Sequence, residues 1–528
     1  ADNGTVIKKV CRYQQFRAVN KAIDRIVNGK DKLNRGGVVW HTQGSGKSLT
    51  MVFLARKIKR TTGLTDSTIV VVTDRIDLDK QIYATFDRTL SKITTPVRAD
   101  KIEIMKKLLS NPQPQIIMTT IQKFQNETEE REVLFEGKKS KQKYVVDYPL
   151  LSTKQNIIVL SDEAHRSQYK DTAANMRTAL PNAVFIGFTG TPRLIENKSQ
   201  DGRTTADIFD KCLHHYLIKD AIHDGNVLGF SVEYIKTFDG EVNEYDDERI
   251  KAIDKEEVFM DDQRIELIAN HIIANHDNKT SGRKFCSIFA VQSIEMLNKY
   301  YDTFKRLNSD LKIAAIYTFD DNEDLSNKKE HSRDSLERII KDYNEMFKEE
   351  NLDFSTDTFP AYFKDVSTKL KNAELDMVIV VNMLLTGFDS KPLNTLYVDK
   401  NLKYHGLLQA YSRTNRVYDA TKQFGNIVCY RNLKKETDDA ICLFSQTDTT
   451  DVVLMEDFKE QLEKLYEIAP TIESVDEIQD ENEKKKFIEI FRDLTKQLTK
   501  LKTFTEFEFN EETLGISEQT YEDYKSKY

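Results

Sequence analysis

The segment His41-Thr42-Gln43-Gly44-Ser45-Gly46-Lys47-Ser48 has the composition of a phosphate cradle. It follows the apolar run Val38-Val39-Trp40 and precedes a helical pattern that starts near Leu49. Glycines at such a point let backbone N–H groups close around a phosphate, and the following helix adds its dipole. Lys47 would neutralise phosphate charge, and Ser48 would ligate Mg2+. Gly44, Ser45 and Gly46 would form the loop wall. His41 stands where the pattern G-x-x-x-x-G-K-[ST] begins with glycine.

Three further strings carry chemistry. Ser161-Asp162-Glu163-Ala164-His165 follows the run Asn156-Ile157-Ile158-Val159-Leu160, and Asp162 lies 115 residues after Lys47. The carboxyl end of a buried strand is where α/β sheets hold ligands. Asp162 would hold Mg2+ there, and Glu163 would activate an attacking water. Phe188-Thr189-Gly190-Thr191-Pro192 ends another run. The hydroxyls of Thr189 and Thr191 could link the carboxylates and His165 to a second domain, although an ordinary Gly-Pro turn reads the same. In Gln409-Ala410-Tyr411-Ser412-Arg413-Thr414-Asn415-Arg416 the two arginines are three apart. On a helix they would face the same way. Aimed at the phosphates near Lys47 they would stabilise transition-state charge. Taken alone, a surface salt-bridge face has the same spacing.

Apolar runs position these strings. Gly37-Val38-Val39-Trp40, Thr68-Ile69-Val70-Val71-Val72, Gln115-Ile116-Ile117-Met118, Asn156-Ile157-Ile158-Val159-Leu160 and Ala183-Val184-Phe185-Ile186 show no alternation. They suit parallel strands buried on both faces. Helical patterns over 47–59 and 78–90 lie between them, which predicts a doubly wound α/β domain. A second set lies at 284–289, 313–317, 377–381, 395–398 and 425–430, and predicts another. The intervening 195–280 is polar and reads as linker plus lead-in strands. Segments 137–143 and 319–333 read as exposed insertions. In the tail, Phe487, Ile490, Phe491, Leu494, Leu498 and Leu501 fall at helical spacing, and Phe458, Leu462, Leu465 and Ile468 suggest a second stripe. Two such stripes call for a covering surface, either the second domain or a partner.

The chain has 528 residues, 39% apolar and 31% charged, enough for about three or four domains. No apolar stretch approaches the roughly 18 residues of a membrane span, so no membrane is expected. The N-terminus Ala1-Asp2-Asn3-Gly4 shows no secretory pattern. Cys11, Cys212, Cys286, Cys429 and Cys442 form no C-x-x-C pair, which argues against zinc or disulfides and fits a cytoplasmic location. Net charge is −8, but residues 451–528 hold 21 acids and 11 bases, so the remainder is +2. A near-neutral body is compatible with a basic groove, so net charge does not exclude nucleic acid.

The order of Lys47, Asp162-Glu163-Ala164-His165, Thr189-Gly190-Thr191 and Gln409…Arg413…Arg416 resembles superfamily 2 helicases. Arg12-Tyr13-Gln14-Gln15 resembles their adenine-reading element, with Gln15 implied as the base contact beside Arg12. Val72-Thr73-Asp74-Arg75 and Thr119-Thr120-Ile121-Gln122-Lys123-Phe124 resemble DNA-facing motifs. The resemblance thus implies Arg75, Thr120, Gln122 and Lys123 as contacts. Met383-Leu384-Leu385-Thr386-Gly387-Phe388-Asp389 resembles the motif between the lobes, which implies nucleotide roles for Gly387, Asp389 and Gln409.

The neighbours of these motifs, such as Trp40-His41-Thr42-Gln43 and Leu408-Gln409-Ala410-Tyr411-Ser412-Arg413-Thr414-Asn415-Arg416, look like the motor (R) subunit of type I restriction endonucleases over about residues 8–435. That resemblance implies two RecA-like lobes, 1–220 and 221–448, with ATP and Mg2+ in the cleft between them, and a helical segment over 449–528. It implies ATP-driven translocation on double-stranded DNA, with methyltransferase and specificity subunits as partners. The family's nuclease domain has no room before Arg12, and no Asp…Glu-x-Lys constellation stands out elsewhere. A freestanding helicase or RNA-dependent ATPase of the superfamily is the alternative. A non-catalytic nucleotide-sensing adaptor is a second alternative, of a different class.

Overall fold

The computed structural model describes residues 8–29, 35–74, 76–90, 94–135, 138–167, 171–237, 258–318, 326–473 and 480–528. They divide into two compact units, Ala1–Ala221 and Ile222–Tyr528. Both have the RecA-like α/β fold, and the second continues into helices.

In the first unit the valine- and isoleucine-rich runs become β1 Gly37–His41, β2 Thr68–Thr73, β4 Ile116–Thr120, β7 Ile157–Ser161 and β8 Val184–Thr189. Every residue of these five strands is buried, as parallel strands covered on both faces require. Two short edge strands, β3 Val97–Arg98 and β9 Cys212–Tyr216, complete the order β3-β4-β2-β7-β8-β1-β9. Val39, Val71 and Leu160 pack on one side with the helices Tyr13–Asn28, Lys47–Ile58 and Ile76–Leu90. Val38, Val70 and Val159 pack on the other with Ile102–Ser110 and Asp171–Ala179. The carboxyl ends of the parallel strands therefore share one edge, where such sheets place ligands.

In the second unit, β10 Phe230–Tyr234, β11 Cys286–Val291, β12 Ile313–Ile316, β13 Met377–Val380, β14 Leu393–Asp399 and β15 Gly425–Cys429 form an all-parallel sheet in the order β10-β15-β14-β11-β13-β12.

Three expectations are refined or corrected. Within 195–280, β10 edges the second sheet as the expected lead-in strand, but β9 joins the first sheet beside β1 and Asp262–Lys279 is an 18-residue helix, while 238–257 lie outside the described residues. Only Leu213 and Tyr216 of the edge strand β9 are buried, so its sequence lacks the continuous apolar run of a central strand. Residues 138–143 of the expected insertion lie in an antiparallel hairpin of β5 Glu127–Phe135 and β6 Lys138–Val146, and 137 lies outside the described residues. Most of the insertion at 319–333 is the start of the helix Ser326–Met346, while 319–325 lie outside the described residues.

The third correction concerns the tail. Its two stripes need no outside surface. Phe487, Phe491, Leu494 and Leu498 form one core with Leu465, Leu514, Tyr521 and Tyr524. The short helices Glu511–Leu514 and Glu518–Lys527 close over Phe458–Glu473 and Glu481–Leu501. The tail is also clasped to the second sheet. The Phe230 N–H donates to the Val453 carbonyl (2.9 Å), and Met455 N–H donates to that of Phe230 (2.7 Å). Buried Lys279 pairs with Glu233 and donates to the Thr503 carbonyl at 2.5 Å.

Candidate nucleotide site

The loop after β1 turns on two glycines in the left-handed region, Gly44 (φ 84°) and Gly46 (φ 86°). Such angles strain any other residue. Gly46 caps the helix Lys47–Ile58, and no side chain caps its first turn, so its backbone donors remain for an anion. Ser45 Oγ–H donates to the Thr42 carbonyl (2.7 Å) and closes the loop. Lys47 is buried and its Nζ lies 3.4 Å from Gln43 Oε1. Ser48 follows in the first helical turn, half-buried. Gly190, after β8, lies against this loop: a Cβ there would sit 3.1 Å from Gln43 N and 3.4 Å from Lys47 Nζ.

Gln15 meets the loop directly. Its Oε1 accepts the Arg12 N–H (3.0 Å) and its Nε2–H donates to the Gly46 carbonyl (3.2 Å). The side chain expected at the base is thus held on the phosphate loop, while Arg12 is exposed.

His41 has a partner the sequence did not announce. Its Nε2 lies 2.9 Å from His214 Nδ1 on β9, and its ring packs edge-on against Tyr216. Burial, then His214, pushes the His41 pKa well below its usual value, and burial brings His214 to about 4. Two neutral imidazoles therefore buttress the loop start, which accounts for a side chain at the pattern's glycine position.

The carboxylates leave β7 on the same edge. Asp162 N–H donates to the Val72 carbonyl (2.9 Å) of the neighbouring strand. Burial, then adjacent Glu163, raises the Asp162 carboxyl to about 7, with Lys47 pulling the other way. Glu163 itself has φ 44°, a strained conformation for a residue with a side chain. His165 Nδ1 lies 2.9 Å from Thr189 Oγ1 and 3.4 Å from Glu163 Oε2. Thr189 Oγ1 in turn accepts the Thr191 N–H (3.1 Å). The three strand ends β1, β7 and β8 thus bring together Lys47, Glu163, His165, Thr189 and Thr191.

Ser48 and Asp162 suit Mg2+, because both offer oxygen and a cation would relieve the crowding of two carboxylates. Among the described residues no group of three or more His, Cys, Asp or Glu could hold a metal alone. A site completed by nucleotide oxygens needs no such group.

At the nearby end of β4, Thr120 is buried, Gln122 exposed and Lys123 half-buried. Gln122 Nε2–H donates to the Asp74 carbonyl, and Lys123 Nζ reaches Thr120 Oγ1 at 3.5 Å. Arg75 lies outside the described residues.

In the second unit, Gly387 has φ 80° and Asp389 Oδ1 accepts the Arg416 Nε–H at 2.5 Å. Burial works to raise Asp389, but Arg416 beside it carries the carboxyl below its ordinary value. The helical placing of the two arginines is corrected. The helix Tyr404–Tyr411 ends first, where Thr414 N–H and Oγ1–H both donate to the Tyr411 carbonyl. Arg413 is buried and donates to the carbonyls of Gln409 (3.0 Å) and Phe388. Gln409 is also buried.

Comparison with known proteins places this geometry. The SWI2/SNF2 ATPase family matches residues 14–264. The type I restriction enzyme subunit R domain 3 family matches 283–432, and the subunit R C-terminal family of type I restriction and modification enzymes matches 453–528. The endonuclease subunit of the type I restriction enzyme SauCOLORF180P of Staphylococcus aureus is 46% identical over 96% of the chain and 54% of its own length. That of HindI from Haemophilus influenzae is 34% identical over 82% of the chain and 40% of its own length. The chain thus spans about half the length of these relatives. A solved HsdR subunit fragment from Vibrio vulnificus shares the fold at TM-score 0.50 and 15% identity, covering 83% of this chain and 67% of that one. No helix among the described residues is long and apolar enough to cross a membrane.

Proposed function

The chain belongs to the family of type I restriction enzyme endonuclease subunits, and from that premise we propose that it hydrolyses ATP to translocate double-stranded DNA. The observation that carries this reading is the shared strand edge. An uncapped, glycine-turned helix N-terminus bearing Lys47 shares that edge with the Asp162–Glu163 pair. A phosphate binder beside two crowded carboxylates is what phosphoryl transfer to water requires.

Lys47 and the loop amides hold the phosphates. Ser48 and Asp162 would hold Mg2+, which supplies charge neutralisation at the phosphate oxygens. Glu163 accepts the proton of the attacking water. Gln15 sets the loop through Gly46, and Arg12 lies toward the base. His165, Thr189 and Thr191 relay the state of the carboxylates to the strand beside them. Arg413 and Arg416 stabilise charge on the transferred phosphoryl group, with Gly387, Asp389 and Gln409 holding them. Contacts by Thr120, Gln122, Lys123 and Arg75 fall on the DNA backbone, because a motor must pass over any sequence. Methyltransferase and specificity subunits supply site recognition, and the complex works in the cytoplasm.

The deciding experiment is triplex displacement from linear duplex DNA, alongside ATPase assays with duplex DNA, single strands and RNA. ATP-dependent displacement with duplex-stimulated turnover is expected. Stimulation by RNA or single strands alone would favour a freestanding helicase. Binding without turnover would favour an adaptor. Arg416→Ala should cut turnover by about 10³-fold or more while changing nucleotide affinity little, and Arg416→Lys should not restore it, since the planar fork is lost. Normal stimulated turnover in Arg416→Ala would return that arginine to a surface salt bridge.

A further inference from the structure

The sheet order β4-β2-β7 places the DNA-facing turn and the carboxylate motif on either side of one strand end. That end is Asp74, directly after β2. Its carbonyl accepts the Gln122 Nε2–H from the β4 side, and its carboxylate lies 3.9 Å from Arg166 Nη1 on the β7 side. This bridge is thin, because Arg166 and Asp74 are each partly exposed.

A second connection is stronger. The helix Asp171–Ala179 packs on the turn Ile121–Phe124. From it, Asn175 Nδ2 donates to the Phe124 carbonyl (2.8 Å) and to Asn126 Oδ1 (2.7 Å). Both hydrogen bonds leave one amide nitrogen, so a single side chain fixes both ends of the link that leads into the β5–β6 hairpin. Under it, Ile121 and Phe124 of the turn share one core with Ala164 of the carboxylate motif and with Met176. The turn and Ala164, next to Glu163, thus belong to the same buried core.

We infer that Asn175 is a positioning residue, tying the DNA-facing turn to the helix Asp171–Ala179, which follows the carboxylate motif in the chain, so that DNA engagement sets the placement of Glu163. The inference rests on the DNA-motor reading above. Asn175 touches neither the phosphate loop nor the carboxylates, so it should matter only when DNA is bound.

The test compares Asn175→Ala and Asn175→Asp with the unaltered chain, measuring ATP turnover with and without duplex DNA, the KM for ATP, and the thermal midpoint. Aspartate keeps the shape but cannot donate, so both variants should behave alike. Duplex-stimulated kcat should fall roughly 3–10-fold, within the range that the loss of these two hydrogen bonds can carry. DNA-free turnover and KM should stay within about twofold, and the midpoint within about 3 °C. If Asn175→Asp keeps full stimulation, or if Asn175→Ala does, the positioning role is wrong. A parallel fall in basal and stimulated turnover with a lowered midpoint would make Asn175 merely structural and also overturn it. Absence of duplex stimulation in the unaltered chain would overturn the motor reading and this inference together; normal stimulation there with unchanged variants would overturn the inference alone.

Discussion

Asp162 and Asp399 occupy matching places in the two sheets: each stands at the carboxyl end of a parallel strand, and each is buried. Their surroundings are opposite. Asp399 takes a bidentate pair from Arg264 (2.8 Å on each oxygen), Arg431 Nε–H (2.8 Å) and Tyr300 O–H (2.7 Å). Burial alone would raise it, but the arginines hold it below the ordinary carboxylate range. The Phe259 ring stacks on both guanidinium groups. Asp162 has a second carboxylate as neighbour, with the Lys47 cation pulling the other way, and it is raised to about 7. The lesson is that a strand-end carboxylate marks a place and its neighbours assign the work. Where cations are built in, the carboxylate binds the fold together; where they are withheld, it remains ready for one that arrives with a ligand.

Changes at the two strand ends should therefore fail in different ways. Glu163→Gln should leave ATP binding unaltered and the thermal midpoint no lower, while turnover falls about 10²–10⁴-fold. Wild-type turnover in that variant would remove the base from Glu163 and, with it, the functional half of the contrast. Asp399→Asn should do the reverse. It strands two buried arginines against a neutral amide, a loss of about 3–5 kcal/mol in the stability of the second unit. Urea unfolding would show it as a lower midpoint at unchanged slope. A loss below about 1 kcal/mol would mean that Asp399 is no more than a surface pair.

The contrast also explains what the sequence could and could not tell. The central strands were legible because valine and isoleucine runs buried on both faces have one reading, and the strings at their ends inherit a place from them. Gly44-Ser45-Gly46-Lys47 and Asp162-Glu163 are of that kind. His214 and Tyr216 were hidden because β9 is an edge strand with only two buried positions and no apolar run. The arginines were placed on a helix by their spacing alone, yet Thr414 turns the chain at Tyr411, and no spacing rule shows a cap three residues ahead. The tail was misread for a related reason. Its stripes were visible, but Tyr521 and Tyr524 lie in the short, polar segment Glu518–Lys527, so the side chains that close the core did not look apolar. Asp399 gave no signal at all, because Arg264 and Arg431 reach it from distant parts of the sequence.

The smallest expected effect gives the most direct measure of the contrast. A carboxyl whose folded pKa lies above its unfolded value, near 4, binds its proton more tightly when folded. Its stabilising share is complete below the unfolded pKa and is lost as pH rises through the folded one, here about 7. Asparagine carries no charge at any pH. Asp162→Asn should therefore match the unaltered chain near pH 4 and become the more stable of the two as pH rises to 8. The gain should be a few degrees, at about 2–4 °C per kcal/mol for a domain of this size. Mg2+ added together with nucleotide should narrow the gap at pH 8, because only the aspartate can share the metal. Asp399 has the opposite sign: its contribution is present above the unfolded pKa and is lost as pH falls through the lowered folded value. Thermal melts across pH 4–8 for Asp162→Asn, and below about pH 5 for Asp399→Asn, would show slopes of opposite sign in separate pH windows. A pH-independent gap for Asp162→Asn would show that its carboxyl is not held against its charge, and the two strand ends would then differ in partners but not in purpose.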